Sequence, residues 1–187
     1  MGVDILAVMK MVIQSLLSIW LGLASAVAAE TGITVRQEGM RLIVEGWLKT
    51  SVSPATAWTV LTDYVRFPEF VPGIHANQVL ESRNGGKIIE QRGEVISGQF
   101  RMPYTGQMRV EEHAGEGLEI LFLSGPFKDA RGEWNMQPGR PLKLTYRMDM
   151  DLMKTPVPPP LAPALAEQQV RTWVEVFGRE MERRKAK

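Results

Sequence analysis

The 187-residue chain contains no cysteine. That absence excludes a disulfide framework, thiolate zinc or iron–sulfur ligation, a cysteine nucleophile and a lipoprotein-type anchor. Histidine is almost as scarce: His75 and His113 stand alone, which leaves little from which to build a histidine-based metal site. Neither sign of charge dominates, with 22 Lys and Arg against 21 Asp and Glu and a net charge of +1. So balanced a chain has no basic footprint for nucleic acid and is not an acidic buffer protein. No GxGxxG, Walker-type loop, GxSxG or EF-hand pattern occurs, and no internal repeat. No metal, no cofactor and no nucleic-acid partner is expected.

What is present is ordinary for a globular domain: 44% hydrophobic and 23% charged residues. The first 29 residues differ from the rest. Lys10 precedes an apolar run from Met11 to Leu23, and small residues follow from Ala24 to Ala29. Ala26-Val27-Ala28 fits the A-x-A cleavage pattern, so residues 1–28 read as a signal peptide and residues 29–187 as one mature domain. A periplasmic or secreted location follows. The competing reading is an uncleaved N-terminal membrane anchor, because Ile5 to Ala29 is long enough to span.

The mature chain opens with strand signals, Ile33 to Gln37 and Arg41 to Val52, turned by Glu38-Gly39. Ser53-Pro54 marks a helix start, a hydroxyl N-cap followed by proline in the first turn, and Pro68 is expected to end that helix. From Ile74 to Met153 the period changes to two. The clearest strand carries Leu142, Leu144, Tyr146, Met148, Met150 and Leu152 on one face, with Lys143, Thr145, Arg147, Asp149 and Asp151 on the other. A one-residue slip would bury that whole polar set, so the register is firm. A proline-rich connector from Thr155 to Pro163 leads into a long amphipathic helix, Ala164 to Lys185. Its apolar stripe is Ala166, Val170, Trp173, Val174, Phe177 and Met181. An antiparallel sheet curled around one helix is the economical way to bury both apolar faces.

Ser53-Pro54-Ala55-Thr56-Ala57-Trp58-Thr59-Val60-Leu61-Thr62-Asp63-Tyr64 resembles the first helix of START-like proteins of the polyketide cyclase and coenzyme Q-binding type. Phe67 to Gly73 continues the likeness, and Arg131 to Pro138 resembles the family's penultimate strand. The resemblance covers about Met40 to Arg183. It implies an α+β helix-grip fold, with a curved seven-stranded antiparallel sheet wrapped around the C-terminal helix. It also implies an apolar cavity between them that takes a lipid, quinone, polyketide or other hydrophobic molecule. The leader sets this chain apart from the mitochondrial quinone-binding members. Carriers and enzymes share the fold, so the fold alone does not choose between them.

On that basis Phe70, Tyr104, Met108, Trp134, Met136, Tyr146, Met148, Met150, Trp173 and Phe177 are the expected pocket residues. Flexible thioethers suit a wall that fits variable apolar ligands, although they equally serve as gap-filling core residues. Tyr104, Trp134, Tyr146 and Trp173 each bring one polar atom to an apolar face, to meet either a ligand or a nearby backbone carbonyl. Arg92 is the candidate polar anchor, since the buried parity of Glu90 to Glu94 is not legible, whereas alternation turns Arg101, Arg109 and Arg147 outward. An enzyme reading, cyclase or dehydratase, would draw on Asp63, His75 or a tyrosine; a cap or a solvated loop is the plainer role for the first two. A third reading is an interaction domain using the outer face of the sheet. The run Glu180 to Lys187 reads as a solvated helix end, with transient contact to an anionic membrane as the alternative.

Overall fold

The protein is described here from a computed structural model covering residues 30–83, 86–97 and 100–185. The expected signal peptide and its cleavage site lie outside the described residues. Strands β1 (Glu30–Glu38) and β2 (Arg41–Thr50) form a hairpin. It turns at Gly39, whose φ of 61° is a left-handed conformation that glycine adopts without cost. Helix α1 (Pro54–Leu61) starts as its sequence predicts: Ser53 Oγ accepts from the Thr56 N–H at 3.1 Å, and Pro54 occupies the first turn. The helix stops at Thr62, earlier than expected. Pro68 does not end it but sits in the first turn of a second short helix, α2 (Phe67–Phe70), where a missing N–H leaves no bond unmade.

Six strands follow: β3 (Ile74–Arg83), β4 (Gly86–Ser97), β5 (Phe100–His113), β6 (Gly117–Phe122), β7 (Arg131–Gln137) and β8 (Leu142–Asp151). With β1 and β2 they make one antiparallel sheet in the order β1-β2-β8-β7-β6-β5-β4-β3. The sheet has eight strands where the resemblance implies seven. The additional one is β1, which precedes the stretch that carries the resemblance and zips along β2 from Glu30↔Lys49 to Glu38↔Arg41. The alternation on β8 holds: Leu142, Leu144, Tyr146 and Met148 are buried, and Lys143, Thr145, Arg147 and Asp149 face the other side.

Helix α3 (Ala162–Lys185) lies in the grip of this sheet. Its stripe is seated against β1, β2 and α1, with Val170, Val174, Phe177 and Met181 all buried. Close approach depends on Gly46 of β2. A Cβ there would stand 2.7 Å from Val170 Cγ1 and 2.8 Å from Val174 Cγ2, too near for any side chain. Under the middle of α3 the core is aromatic. Phe67, Phe70, Phe177, Trp134, Tyr146 and Trp173 form a chain of ring contacts with centroids 4.9 to 5.6 Å apart.

The end of α3 is not the solvated tail that its charges predict. Glu180 is buried, held by Arg183 at 2.6 Å and Arg184 at 2.7 Å. Arg184 reaches on to Asp63 at 2.7 Å, just past α1, so Asp63 ties the two helices together rather than standing at a cavity. The hydrogen bond from Arg183, with that from Arg184, holds the Glu180 carboxyl down at about 2, against burial, which pushes it up. A carboxyl depressed in the fold stabilises the fold above its ordinary value and ceases to do so as it protonates. The Glu180 contribution is therefore complete above pH 4.5 and fades as pH falls toward about 2. Thermal melts of wild type and Glu180→Gln should lie furthest apart near neutral pH and converge below that window. A gap that stays constant into acid would remove Glu180 from the acid response.

Candidate functional site

Two small cavities open between the N-terminal half of α3 and the sheet. The first, about 60 Å³, is bounded by Met148 and Met150 of β8, Val95 of β4, and Ala162, Leu165, Ala166, Val170 and Trp173 of α3. Val157 of the proline-rich connector closes one side. The second, about 40 Å³, runs on toward the α2–β3 junction at Pro72, Gly73 and Ile74 and is bounded by Gln91, Glu94 and Tyr104. Val95, Phe127, Met148, Gln169 and Trp173 border both, so the two are chambers of one site divided by side chains. The first chamber is almost wholly apolar, and the polar atoms gather in the second.

Those polar atoms are arranged by the strands. On β4 the inward positions are Gln91, Gly93 and Val95. Gly93 permits the Gly73 carbonyl to approach, since a Cβ would fall 2.2 Å from that oxygen. The Glu94 N–H donates to the same carbonyl at 2.7 Å, and this stitches the α2–β3 junction over the chamber. Opposite Gly93 on β5, the Tyr104 hydroxyl donates to Gln91 Oε1 at 2.7 Å. Burial pushes Tyr104 up to about 12, so it remains a neutral phenol. The Glu94 carboxylate accepts from Arg101 at 2.9 Å and lies 3.7 Å from His75 Nε2. The Trp173 indole Nε1 is buried and has no acceptor among the described residues.

Of the ten expected pocket residues, Tyr104, Met148, Met150 and Trp173 border the chambers. Met108, Trp134, Met136 and Tyr146 are buried on the same inward face but border neither, and the Tyr146 hydroxyl donates to Met148 Sδ at 3.3 Å. Phe70 and Phe177 belong to the aromatic chain. Arg92 is exposed and lies on the opposite side of β4 from Gln91 and Gly93, so it does not anchor anything in the chambers. Sequence reading missed Gln91, Gln169 and Phe127. Phe127 sits in the irregular β6–β7 connection, where no periodicity marks it, but Gln169 stands four residues before Trp173 on one helix face, a spacing that was available.

Larger hollows lie on the outer face, but charge lines them. One of about 330 Å³ is bounded by Arg109, Glu111, Glu119, Arg131, Glu133, Arg147 and Asp149. Arg147 pairs there with Glu45 at 2.5 Å and Asp149 with Arg41 at 2.5 Å. Glu111, His113 and Glu119, all exposed, bring ligand-capable atoms within 4.8 Å of one another. Among the described residues the large exposed apolar side chains are Met40, Val65, Leu80, Met153 and Leu161, none of them on β4 to β8. No described helix is long and apolar enough to cross a membrane.

Comparison with known proteins agrees with this geometry. The model of the family described as polyketide cyclase/dehydrase and lipid transport matches residues 50–177, and the chain belongs to that family. Its fold is that of a START superfamily protein from Mycobacterium smegmatis, with a TM-score of 0.65 at 19% identity, over 75% of this chain and 97% of the other. An aromatase/cyclase from a Streptomyces species superposes with a TM-score of 0.61 at 18% identity, over 77% of this chain and 95% of that one. A STAR-related lipid transfer protein from Xanthomonas axonopodis gives 0.61 at 13% identity, over 83% and 98%. A search of curated sequences finds no match. The neighbours thus include both a lipid transfer protein and an enzyme on one scaffold.

Proposed function

We propose that the protein is an exported binding or transport protein for a hydrophobic small molecule or lipid, held between the sheet and α3. The observation that carries this reading is the two-chamber cavity, apolar at one end and furnished with polar atoms at the other. Such a cavity accepts an apolar body and orients it by a few polar contacts. The family description, which joins lipid transport to cyclase chemistry, supports it. The leader supports export. The flexible Met148 side chain between the chambers lets the wall adapt to its occupant.

A cyclase or dehydratase is the second reading, because Glu94 and Tyr104 border one chamber. Both are already committed: Glu94 to Arg101, and the Tyr104 proton to Gln91. A phenol raised to about 12 is also a weak acid for work near neutrality. Asp63 is engaged by Arg184, away from the chambers. Carriage therefore fits these groups better than chemistry.

Mass spectrometry of the protein purified from its own host tests both halves. The intact mass should correspond to a chain beginning at Ala29 or Glu30, and the native mass should include a reproducible bound species. An uncleaved chain in the membrane fraction would replace export by anchoring. Protein that is empty at every stage and takes up no apolar compound would overturn the binding role.

A further inference from the structure

The polar groups in the chambers also select among hydrophobic ligands. We infer that the site takes an uncharged ligand ending in a hydrogen-bond acceptor, such as a ketone, ester or quinone carbonyl, which receives the Trp173 indole N–H. This rests on the binding role proposed above.

Three observations lead there. The Trp173 Nε1 atom is fully buried with no acceptor among the described residues, and the residue borders both chambers. An indole N–H donates only, and a buried donor left unmet is costly, so its natural partner is an acceptor on whatever fills the space. Second, no lysine or arginine borders either chamber. Glu94 borders the second chamber, but it has the parity of Arg92, and its carboxylate is turned outward to Arg101. A carboxylate or phosphate ligand would be buried without a counter-charge, which is strongly unfavourable. Third, the Tyr104 hydroxyl gives its proton to Gln91, so it has none left with which to stabilise an anionic ligand. These groups favour a neutral carbonyl and reject a free acid.

The chambers are each smaller than the roughly 150 Å³ apolar void that takes benzene in an engineered protein. A ring-sized ligand therefore needs both chambers, and Trp173 borders both.

Ethylbenzene, acetophenone and benzoate share a ring and differ in the group that would meet Trp173. Affinities would be measured by calorimetry for wild type and Trp173→Phe, which keeps an aromatic ring and removes the donor. The substitution should weaken acetophenone by about tenfold and leave ethylbenzene unchanged, as loss of one hydrogen bond requires. Benzoate at neutral pH should bind more than about tenfold more weakly than acetophenone to wild type. In nitrogen–proton correlation spectra of wild type, the Trp173 indole proton should move downfield with acetophenone and not with ethylbenzene, a readout that needs no variant. Equal loss of both neutral compounds in Trp173→Phe, an indole proton that ignores the ketone, or benzoate binding as tightly as acetophenone would each overturn the inference while leaving apolar binding intact. Failure of ethylbenzene and acetophenone alike to bind wild type would overturn the binding role along with it.

Discussion

Replacing Trp134 with alanine should destabilise the fold by about 3–5 kcal/mol, the range for truncating a buried aromatic residue. The side chain is 4% exposed, and its ring stands 4.9 Å from Tyr146 and 5.3 Å from Phe177. It borders neither chamber, so its removal leaves a hole that no occupant was meant to fill. Through Phe177 the loss would also reach Phe67 and Phe70, which close the α2 side of the core. For a domain of this size the melting temperature should fall by roughly 6–20 °C. Thermal and urea melts check this directly. A loss below about 1 kcal/mol, with new uptake of an apolar dye, would instead make Trp134 part of the ligand wall.

That contrast between wall and core marks where sequence reading runs out. Alternation on β8, the Ser53-Pro54 cap and the stripe on α3 are local patterns, and each carries directly into the fold. They depend only on period and on the chemistry of one turn. They say which face is inward, but not whether an inward side chain meets another atom or a gap. Met108 and Met136 are filled around, whereas Met148 and Met150 border space; all four share one inward signature in the sequence. The difference is set by α3, which sits close on Gly46 at one place and stands off where its own Ala166, with Val157 of the connector, borders the first chamber.

Polar exceptions were the least legible. Between Glu90 and Glu94 every side chain except that of Gly93 is polar, so parity could not be read, and the inward residue is Gln91 rather than Arg92. Glu180 looks solvated in a run of charges. It is buried because α1 folds across that end of α3, and the pairing of Asp63 with Arg184 is separated by 121 residues. No window along the chain contains such a contact.

The standing-off of α3 can be tested by closing the gap. Ala166 borders the first chamber from the helix, and leucine there keeps the helix, since the two residues have nearly equal helical preference. The added side chain enters about 60 Å³ of space rather than packed atoms. In a packed core the same enlargement would cost about 1–3 kcal/mol through strained rotamers. Filling a void recovers contacts instead, so Ala166→Leu should be neutral or stabilising by up to about 1 kcal/mol. The same change should weaken an environment-sensitive apolar dye by more than about tenfold, because the branched end occupies the space the dye requires. Stability and binding should thus move in different directions in one variant, a pattern that a packed core does not produce. A fall in melting temperature with dye binding unchanged would place the ligand elsewhere and return the chambers to ordinary core.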